Sequence, residues 1–590
     1  MRKQSRIFAL GAICAAALLY ACDPDSLIIG PSPSPVNPSD TTVVTPVDTT
    51  VVEPVDTTIV DPVDTTIVVP VDTTVVDPVV HDPKGNVYGY VMCGAQGLEG
   101  VVVSDGIRVT TTGSDGYYEL TSAKANGYVF ISTPSGYAPA QKGVLPQFYG
   151  YLTGNEDVKE RVDFSLTKED QSEYTVLLLG DMHLADRMHD FEQFRTFTDE
   201  VQQFRADNPG RKIYAITLGD MAWDIFWYRY DLEDYLAEVN ADLVDLPIYH
   251  TIGNHDHESG VAGDFDTVVK YRKILGPTYY SFNIGGYHYI VLDDILCKNT
   301  TSQRSFTDEI TDDQLRWLKA DLEHVSKSTP LVVTMHSPLY YNTGYVALNN
   351  GFNGFIKMFS GYKHTLVATG HTHIIYNTDK LTSSVPVYES NSGAVCGAWW
   401  MTGSNFDGMH LSGDGTPGGY RIMDVSGTDW EWRFKGTDRP DDYQFRTYDR
   451  NCLQLSAAKW TPNATSSGKT AFEAAVGEYA YASSDNYVLL NIWDYDPSWT
   501  VEVTENGKSL PVTQLSDVKD PLYLVCYEAY EYEHHYDNSI YYSAYTTKHM
   551  FRVQASSATS TLDIKVTDRF GNVYTEQMKR PKEFTIDNYR

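Results

Sequence analysis

Five short apolar runs constrain this chain more than any other feature, because each stops on glycine or a polar side chain at its carboxyl end. Tyr174–Leu179 runs into Gly180-Asp181-Met182-His183, and Ile213–Leu218 into Gly219-Asp220. Pro247–Ile252 ends in Gly253-Asn254-His255-Asp256, Leu331–Met335 in His336, and Thr365–Thr369 in Gly370-His371-Thr372-His373. Runs of this length bounded by turn residues are expected to be strands covered on both faces. Open sheets gather ligands outside the carboxyl ends of their strands, so one cleft can collect all of these groups. Gly253 permits the sharp exit that turns the following side chains outward. The cleft then holds Asp181, Asp220 and Asn254 with His183, His336, His371 and His373, and His255 in reserve. That is more than one ordinary metal ion uses, and it suits two ions that share a carboxylate.

The segments between these runs read as helices and further strands. Asp190–Asp207 puts Phe191, Phe194, Phe197, Val201 and Phe204 on one helical face. Thr311-Asp312-Asp313-Gln314 has the form of a capping box, opening a helix with Leu315, Leu318, Leu322 and Val325 inward. Tyr287–Leu292 adds a buried strand that ends in Asp293-Asp294. Residues 171–428 are therefore expected to form a layered α/β domain.

On either side, strand-and-turn spacing takes over. Residues 84–170 contain strand runs at Val87–Val91, Tyr117–Leu120 and Tyr128–Thr133, with turns at Ser104-Asp105-Gly106 and Ser114-Asp115-Gly116. They predict a small β-sandwich in which turn chemistry, not calcium binding, accounts for Asp105 and Asp115. Residues 429–590 are expected to form a second all-β domain, with strands at Tyr487–Ile492, Thr500–Val503, Leu522–Tyr527, His549–Val553 and Thr561–Val566. The tyrosines between Tyr523 and Tyr545 fit a half-buried sheet face or a ligand platform.

The N-terminus starts with Arg2, Lys3 and Arg6 and continues into an apolar run, Ile7 to Tyr20. That run is too short to span a bilayer comfortably and has the shape of a secretory signal. Residues 1–22 close on Ala21-Cys22, which resembles a bacterial lipoprotein processing site with Cys22 as the lipidated, membrane-attached residue. Within 23–83, five copies of D-T-T-V/I-V-x-P-V begin at Asp40, Asp48, Asp56, Asp64 and Asp72. Proline in every unit prevents a helix and spoils a central strand. The stretch reads as an extended tether on the order of 100 Å long.

Charge and cysteines exclude other classes. With 45 basic against 78 acidic side chains, a formal charge of -33, no basic nucleic-acid-binding surface is expected. Beyond Cys14 and Cys22, the set Cys93, Cys297, Cys396, Cys452 and Cys526 is odd and widely spaced, so it is no disulfide framework and has no C-x-x-C pair. His189, His250, His288, His410, His534, His535 and His549 lack a motif and are read as structural.

The ordered set D-x-H, G-D, G-N-H-D, a lone His after a strand, and G-H-x-H resembles that of the calcineurin-like metallophosphoesterases over Asp181–His373. The flanking segments look like the N- and C-terminal accessory domains of a bacterial envelope branch of that family. The resemblance implies a multidomain fold: a central α/β layered domain with a β-sandwich core, flanked by two all-β domains. It also implies an exported, lipid-anchored hydrolase of a phosphoester substrate. By resemblance Asp181, His183 and His373 hold one ion, Asn254, His336 and His371 hold another, and Asp220 bridges them. Two divalent ions acidify a water between them and neutralise phosphoryl oxygens; Mn, Fe or Zn suits the mixed imidazole and carboxylate ligands.

By resemblance His255 then faces the leaving-group oxygen; Asp224, four residues after the bridge, either orients it or is a surface or capping carboxylate, and Asp256 and His257 stand behind the ligands. Some related enzymes carry a Tyr ligand three residues after the bridge and hold a coloured ferric centre. Trp223 stands there in this chain, so no such centre is expected. Trp399 and Trp400 offer an apolar wall for the substrate or a packing surface for the C-terminal domain. Monoester and diester substrates both remain open, and no protein partner is deducible. The rival reading is a tethered surface binding protein on a non-catalytic phosphoesterase-like scaffold; the complete ligand set argues against it.

Overall fold

A computed structural model describes residues 81–590 apart from 341–351, 382–383, 385, 535–539 and 541. The signal segment, Cys22 and the repeats lie outside the described residues. No helix among the described residues is long and apolar enough to cross a membrane.

The central domain contains two mixed sheets. In chain order its strands are β1 (Glu173–Leu179), β2 (Lys212–Thr217), β3 (Ile248–Tyr249), β4 (Tyr280–Ile284), β5 (Tyr287–Val291) and β6 (Leu331–Thr334). They continue as β7 (Thr365–Thr369), β8 (Ile375–Asp379), β9 (Tyr388–Ser392), β10 (Gly419–Ser426) and β11 (Asp429–Gly436). One sheet runs β3-β2-β1-β10-β11 and the other β4-β5-β6-β7-β9-β8. The strands that end in candidate ligands, β1, β2, β3, β6 and β7, are parallel to their neighbours within this set, while β10, β11, β4 and β8 pair antiparallel at the margins.

Alternation explains the layering even in an apolar strand. Tyr174, Val176 and Leu178 join the cluster that contains Tyr289, Val291, Val333 and Val367 of the other sheet. Leu177 and Leu179 face the opposite way, into a cluster with Phe194, Phe197 and Val201 of the helix Asp190–Asp207. Between the sheets Tyr249 stacks on Phe282 at 3.7 Å, and the hydroxyls of Tyr174 and Tyr289 lie 2.9 Å apart. The expected α/β layers around a β-sandwich core are what the chain forms.

Several local readings need correction. The run Pro247–Ile252 pairs over two residues only, Ile248 and Tyr249. Beyond them Thr217 Oγ1 accepts from Thr251 N at 3.0 Å, so a side chain replaces the ladder and frees the chain to turn. Thr311 caps its helix, but Gln314 does not return the bond. Its amide bonds the main chain of Asp293 on both sides, at 2.8 and 2.7 Å. The expected boundary after Thr428 falls inside a hairpin, because β11 pairs with β10 along its whole length.

The N-terminal region forms the expected pair of small sheets, and Asp105 serves its turn by accepting from Ile107 N and Arg108 N. It docks on the edge strand β4, where Thr133 bridges Phe282. The C-terminal region carries two four-stranded sheets. Leu522–Tyr527, expected as a strand, is helical: Pro521–Tyr523 leads into a π-helical turn, Leu524–Ala529, and then Tyr530–His534. The run is buried on every side, so it has no polar face and no helical periodicity to read. Its start was legible as Asp520-Pro521, a cap followed by proline at the first helical position.

Asp520 also accepts from Tyr448 Oη and Asn491 Nδ2, at 2.7 and 2.8 Å, besides Leu522 N and Tyr523 N. Removing it strands four buried donors. Asp520→Ala is expected to cost about 3 kcal/mol, read by urea unfolding; a loss near zero would show that the carboxylate is not the anchor of this segment.

Candidate active site

Every strand end named above opens on the same cleft. Asp181 and His183 follow β1, Asp220 follows β2, the turn Asn254–Asp256 follows β3, His336 follows β6, and His371 and His373 follow β7. Five of these residues sit in the left-handed backbone region: Asp181 (50°), His183 (45°), Asp220 (58°), His371 (69°) and His373 (54°). Each such residue costs on the order of 1–3 kcal/mol and persists only where its surroundings over-determine it.

The surroundings do so with buried carboxylates. Asp256 accepts from the main chains of Asp220 (2.7 Å), Gly253 (2.8 Å) and Met221 (3.0 Å), locking the β2 and β3 ends together. Asp294 accepts from His336 N and Ser337 N, both at 2.9 Å, and Asp181 accepts from His371 N at 3.0 Å. Glycines supply the remaining room. A Cβ on Gly253 would overlap Asp220, one on Gly370 would overlap Asp181, and one on Gly219 would overlap His336.

The side chains present lone pairs to one another. His336 donates through Nδ1 to Leu218 O (2.7 Å), so its Nε2 points inward, 2.9 Å from Asn254 Oδ1 and 3.1 Å from Asp220 Oδ2. His373 likewise donates through Nδ1 to Gly397 O (2.8 Å), leaving Nε2 3.0 Å from His183 Nε2 and 3.5 Å from Asp181 Oδ1. His183 Nε2 is also 3.4 Å from Asp220 Oδ2, and His371 Nδ1 is 3.1 Å from His336 Nε2. The donors fall into two trios, Asp181/His183/His373 and Asp220/His336/His371, linked by a third group, His183/Asp220/His255. Converging acceptors without enough protons to separate them are the donor set of divalent cations.

Charge tells the same story in the metal-free protein. Burial pushes Asp220 up, yet His336, His255 and His183 outweigh it and hold the carboxyl well below its usual range. His336 is pushed up to about 10: burial opposes this, and Asp220 prevails. Burial drives His183 and His371 well below the usual imidazole range and His373 down to about 4, leaving all three neutral.

His255 lies against the ligands, its donor atom within 4.8 Å of those of His183 and Asp220. Its Nδ1 lies 2.6 Å from Asp224 Oδ1, the orienting alternative of the two that the sequence leaves open. Burial and Arg304 lower its pKa, but Asp220 and Asp224 win and leave it raised. Trp399 and Trp400 divide. Trp399 stacks on His373 at 4.0 Å and on Tyr542 at 3.7 Å, so it walls the site. Trp400 is fully buried, with Nε1 on Met182 O and its ring on His410, so it packs the core and does not meet substrate.

Two contributors, Arg304 and Arg187, were not anticipated, and a third, Tyr542, comes from the tyrosine-rich stretch that fitted either a sheet face or a ligand platform. Arg304 reaches in from the hairpin Ile295–Cys297/Phe306–Asp308, donating to Asn254 O at 3.1 Å with Nε 3.4 Å from Asp224 Oδ2. Arg187 lies over Trp223 at 4.0 Å, with its Nε and Nη2 buried and without a hydrogen-bond partner among the described residues. Tyr542 comes from the C-terminal region. Neither arginine belongs to a local motif; their one signal is the tertiary approach itself.

Comparison with known proteins adds to this geometry. Three family models match successive stretches: the N terminal of calcineurin-like phosphoesterase over 85–169, calcineurin-like phosphoesterase over 174–374, and the C terminal of calcineurin-like phosphoesterase over 389–574. Purple acid phosphatase 23 of Arabidopsis thaliana is 33% identical over 214 residues, 34% of this chain and 40% of that protein. The chain thus spans about two fifths of the length of this curated relative. Among solved structures, purple acid phosphatase PPD1 of yellow lupin (Lupinus luteus) covers 57% of this chain and 67% of its own at 12% identity and a TM-score of 0.32. A putative 5'-nucleotidase of Staphylococcus aureus covers 56% and 74% at 11% identity and a TM-score of 0.29.

Gly253 has an extended backbone that alanine tolerates (φ -119°, ψ 178°), so Gly253→Ala isolates the loss of room beside Asp220. The variant is expected to bind less metal, as Asp220→Asn should, while its circular dichroism stays native. Full metal content in Gly253→Ala would show that Asp220 does not need that space.

Proposed function

The chain belongs to the calcineurin-like phosphoesterases, and from that premise we propose that it hydrolyses phosphoesters with two divalent ions held by the seven converging side chains. Asp181, His183 and His373 would hold one ion, Asn254, His336 and His371 the other, with Asp220 shared. The observation that carries this reading is the pair of donor trios joined through Asp220, with Nε2 of both His336 and His373 turned inward by carbonyl bonds. When bound, the ions supply Lewis acidity and a nucleophilic water at neutral pH.

The chain's own residues do the rest. Asp224 pins His255 Nδ1 and leaves Nε2 to meet the leaving-group oxygen; burial lowers the pKa of that imidazole, but Asp220 and Asp224 leave it raised, the direction that suits a proton donor. The buried N–H groups of Arg187, without a partner among the described residues, receive phosphoryl oxygens, and Arg304 steadies Asp224 and the Asn254 carbonyl. Trp399, stacked between His373 and Tyr542 with both ring faces covered, fixes the His373 ring and leaves its edge to border the site.

The address completes the proposal: the N-terminal signal, Cys22 and the proline-rich tether support export and lipid anchoring at a bacterial envelope. Phosphoesters of surface polymers, lipids or extracellular nucleotides are the substrates such a place offers.

Metal-loaded protein should turn over p-nitrophenyl phosphate or its bis-ester, and the ratio of the two rates assigns monoester or diester specificity. No turnover of either would favour a binding scaffold. His255→Ala should keep its metal and lose roughly a hundredfold or more in kcat. Asp224→Asn should move the alkaline limb of the pH–rate profile to lower pH, because a carboxylate that raises the pKa of His255 has gone; an unmoved limb would remove Asp224 from its positioning role. Trp223 has no lone pair to offer iron, so iron-loaded protein should lack the visible phenolate-to-iron absorption. Its appearance would mean that a tyrosine reaches the metal.

A further inference from the structure

A separate cluster of donor atoms lies just past the Asn254–Asp256 turn in the chain. His257, Asp264 and Cys297 bring an imidazole nitrogen, a carboxylate oxygen and a sulfur within 4.8 Å of one another. None of the three belongs to the two trios assigned above. His257 is 1% and Cys297 5% exposed.

Three segments meet here, and the main chain holds them in register. Glu258 N donates to Thr267 O at 2.8 Å, Gly263 N to Asn299 O at 3.3 Å, and Cys297 N to Asp264 Oδ1 at 2.7 Å. His257 donates through Nδ1 to Gly253 O at 2.9 Å, which fixes its tautomer and leaves Nε2 with a lone pair. That Nε2 is buried and has no hydrogen-bond partner among the described residues. This buried lone pair stands beside a carboxylate and a thiol, with the guanidinium groups of Arg272 and Arg304 as the neighbouring positive charges.

We propose that His257 Nε2, an Asp264 carboxylate oxygen and Cys297 Sγ hold a divalent cation of the zinc class, separate from the ions of the catalytic centre. Nitrogen, oxygen and sulfur together select zinc-like ions over magnesium or calcium, with a fourth position for water. The charges balance, because one carboxylate and one thiolate cancel a divalent ion and leave the buried site neutral. In the metal-free protein burial, helped by Asp264 and Asp293, keeps Cys297 a neutral thiol, and burial keeps His257 a neutral imidazole. On binding, the sulfur–metal bond forms and the thiol proton leaves to solvent, with no redox change.

The site would clamp the turn that carries Asn254 and His255 to the hairpin that carries Arg304. Its second consequence is therefore to hold Arg304 against the Asn254 carbonyl.

Cobalt(II) tests this on the full chain. A thiolate–cobalt bond gives a near-ultraviolet charge-transfer band, which imidazole, amide and carboxylate ligands do not. Cobalt-saturated wild type should show that band. Cys297→Ala should lose it together with one equivalent of cobalt, and Asp264→Asn should weaken both. Cys396→Ala is the control, since Cys396 Sγ lies 3.5 Å from His373 Nδ1 beside the catalytic centre, and it should keep the band. A saturated wild type without the band overturns the proposal whether or not any variant folds. So does a band that survives Cys297→Ala or disappears in Cys396→Ala.

Discussion

The structure depends on crowding around one carboxylate. Asp220 is fully buried and lies within 3.1 Å of His336 Nε2 and 3.4 Å of His183 Nε2, while its other oxygen accepts from His255 N at 2.7 Å. A buried carboxylate beside imidazole lone pairs is costly without added positive charge. His336, its pKa pushed up to about 10 by Asp220 against burial, supplies part of that charge. The divalent ions proposed above would supply more of it and would take the inward-facing nitrogens as ligands. The cluster is therefore a tension that the fold maintains and that bound cations would relieve.

Holding such a cluster takes more than the ligands. Five of the seven side chains hang from left-handed backbone, and the restraints are the carboxylates of Asp256, Asp294 and Asp181, each aimed at main-chain N–H groups of a neighbouring strand end. Burial raises the pKa of Asp256 and Asp294 to about 7, Asp220 adding to the rise in Asp256. These groups tie loop to loop, hydrogen-bonding each strand end to another.

The site is also not the property of one domain. Ala185, Trp223, Ala398 and Leu411 from the catalytic loops share a core with Tyr448, Leu455, Leu522 and Tyr527 of the C-terminal region. Through that shared core Tyr542 reaches Trp399, and Trp399 reaches His373. The helix begun at Asp520 carries Tyr523, whose hydroxyl donates to Tyr542 O at 2.8 Å. The accessory region thus shapes the mouth of the cleft as well as shielding it.

Sequence alone determined the strand ends, their polar residues and the layered α/β class, because apolar runs closed by glycine encode burial and exit locally. It offered Asp224 as a partner for His255 or as a surface or capping carboxylate, and only the fold brought the two within 2.6 Å. Trp399 and Trp400 were indistinguishable as neighbours of like chemistry; only the path of the loop put one on His373 and the other in the core. Leu522–Tyr527 read as a strand because a run buried on all sides shows neither period. Arg304 and Arg187 were illegible for the same reason as the His257, Asp264 and Cys297 cluster. Each depends on segments distant in the chain being brought within a few ångströms, a distance set by packing and absent from any local pattern.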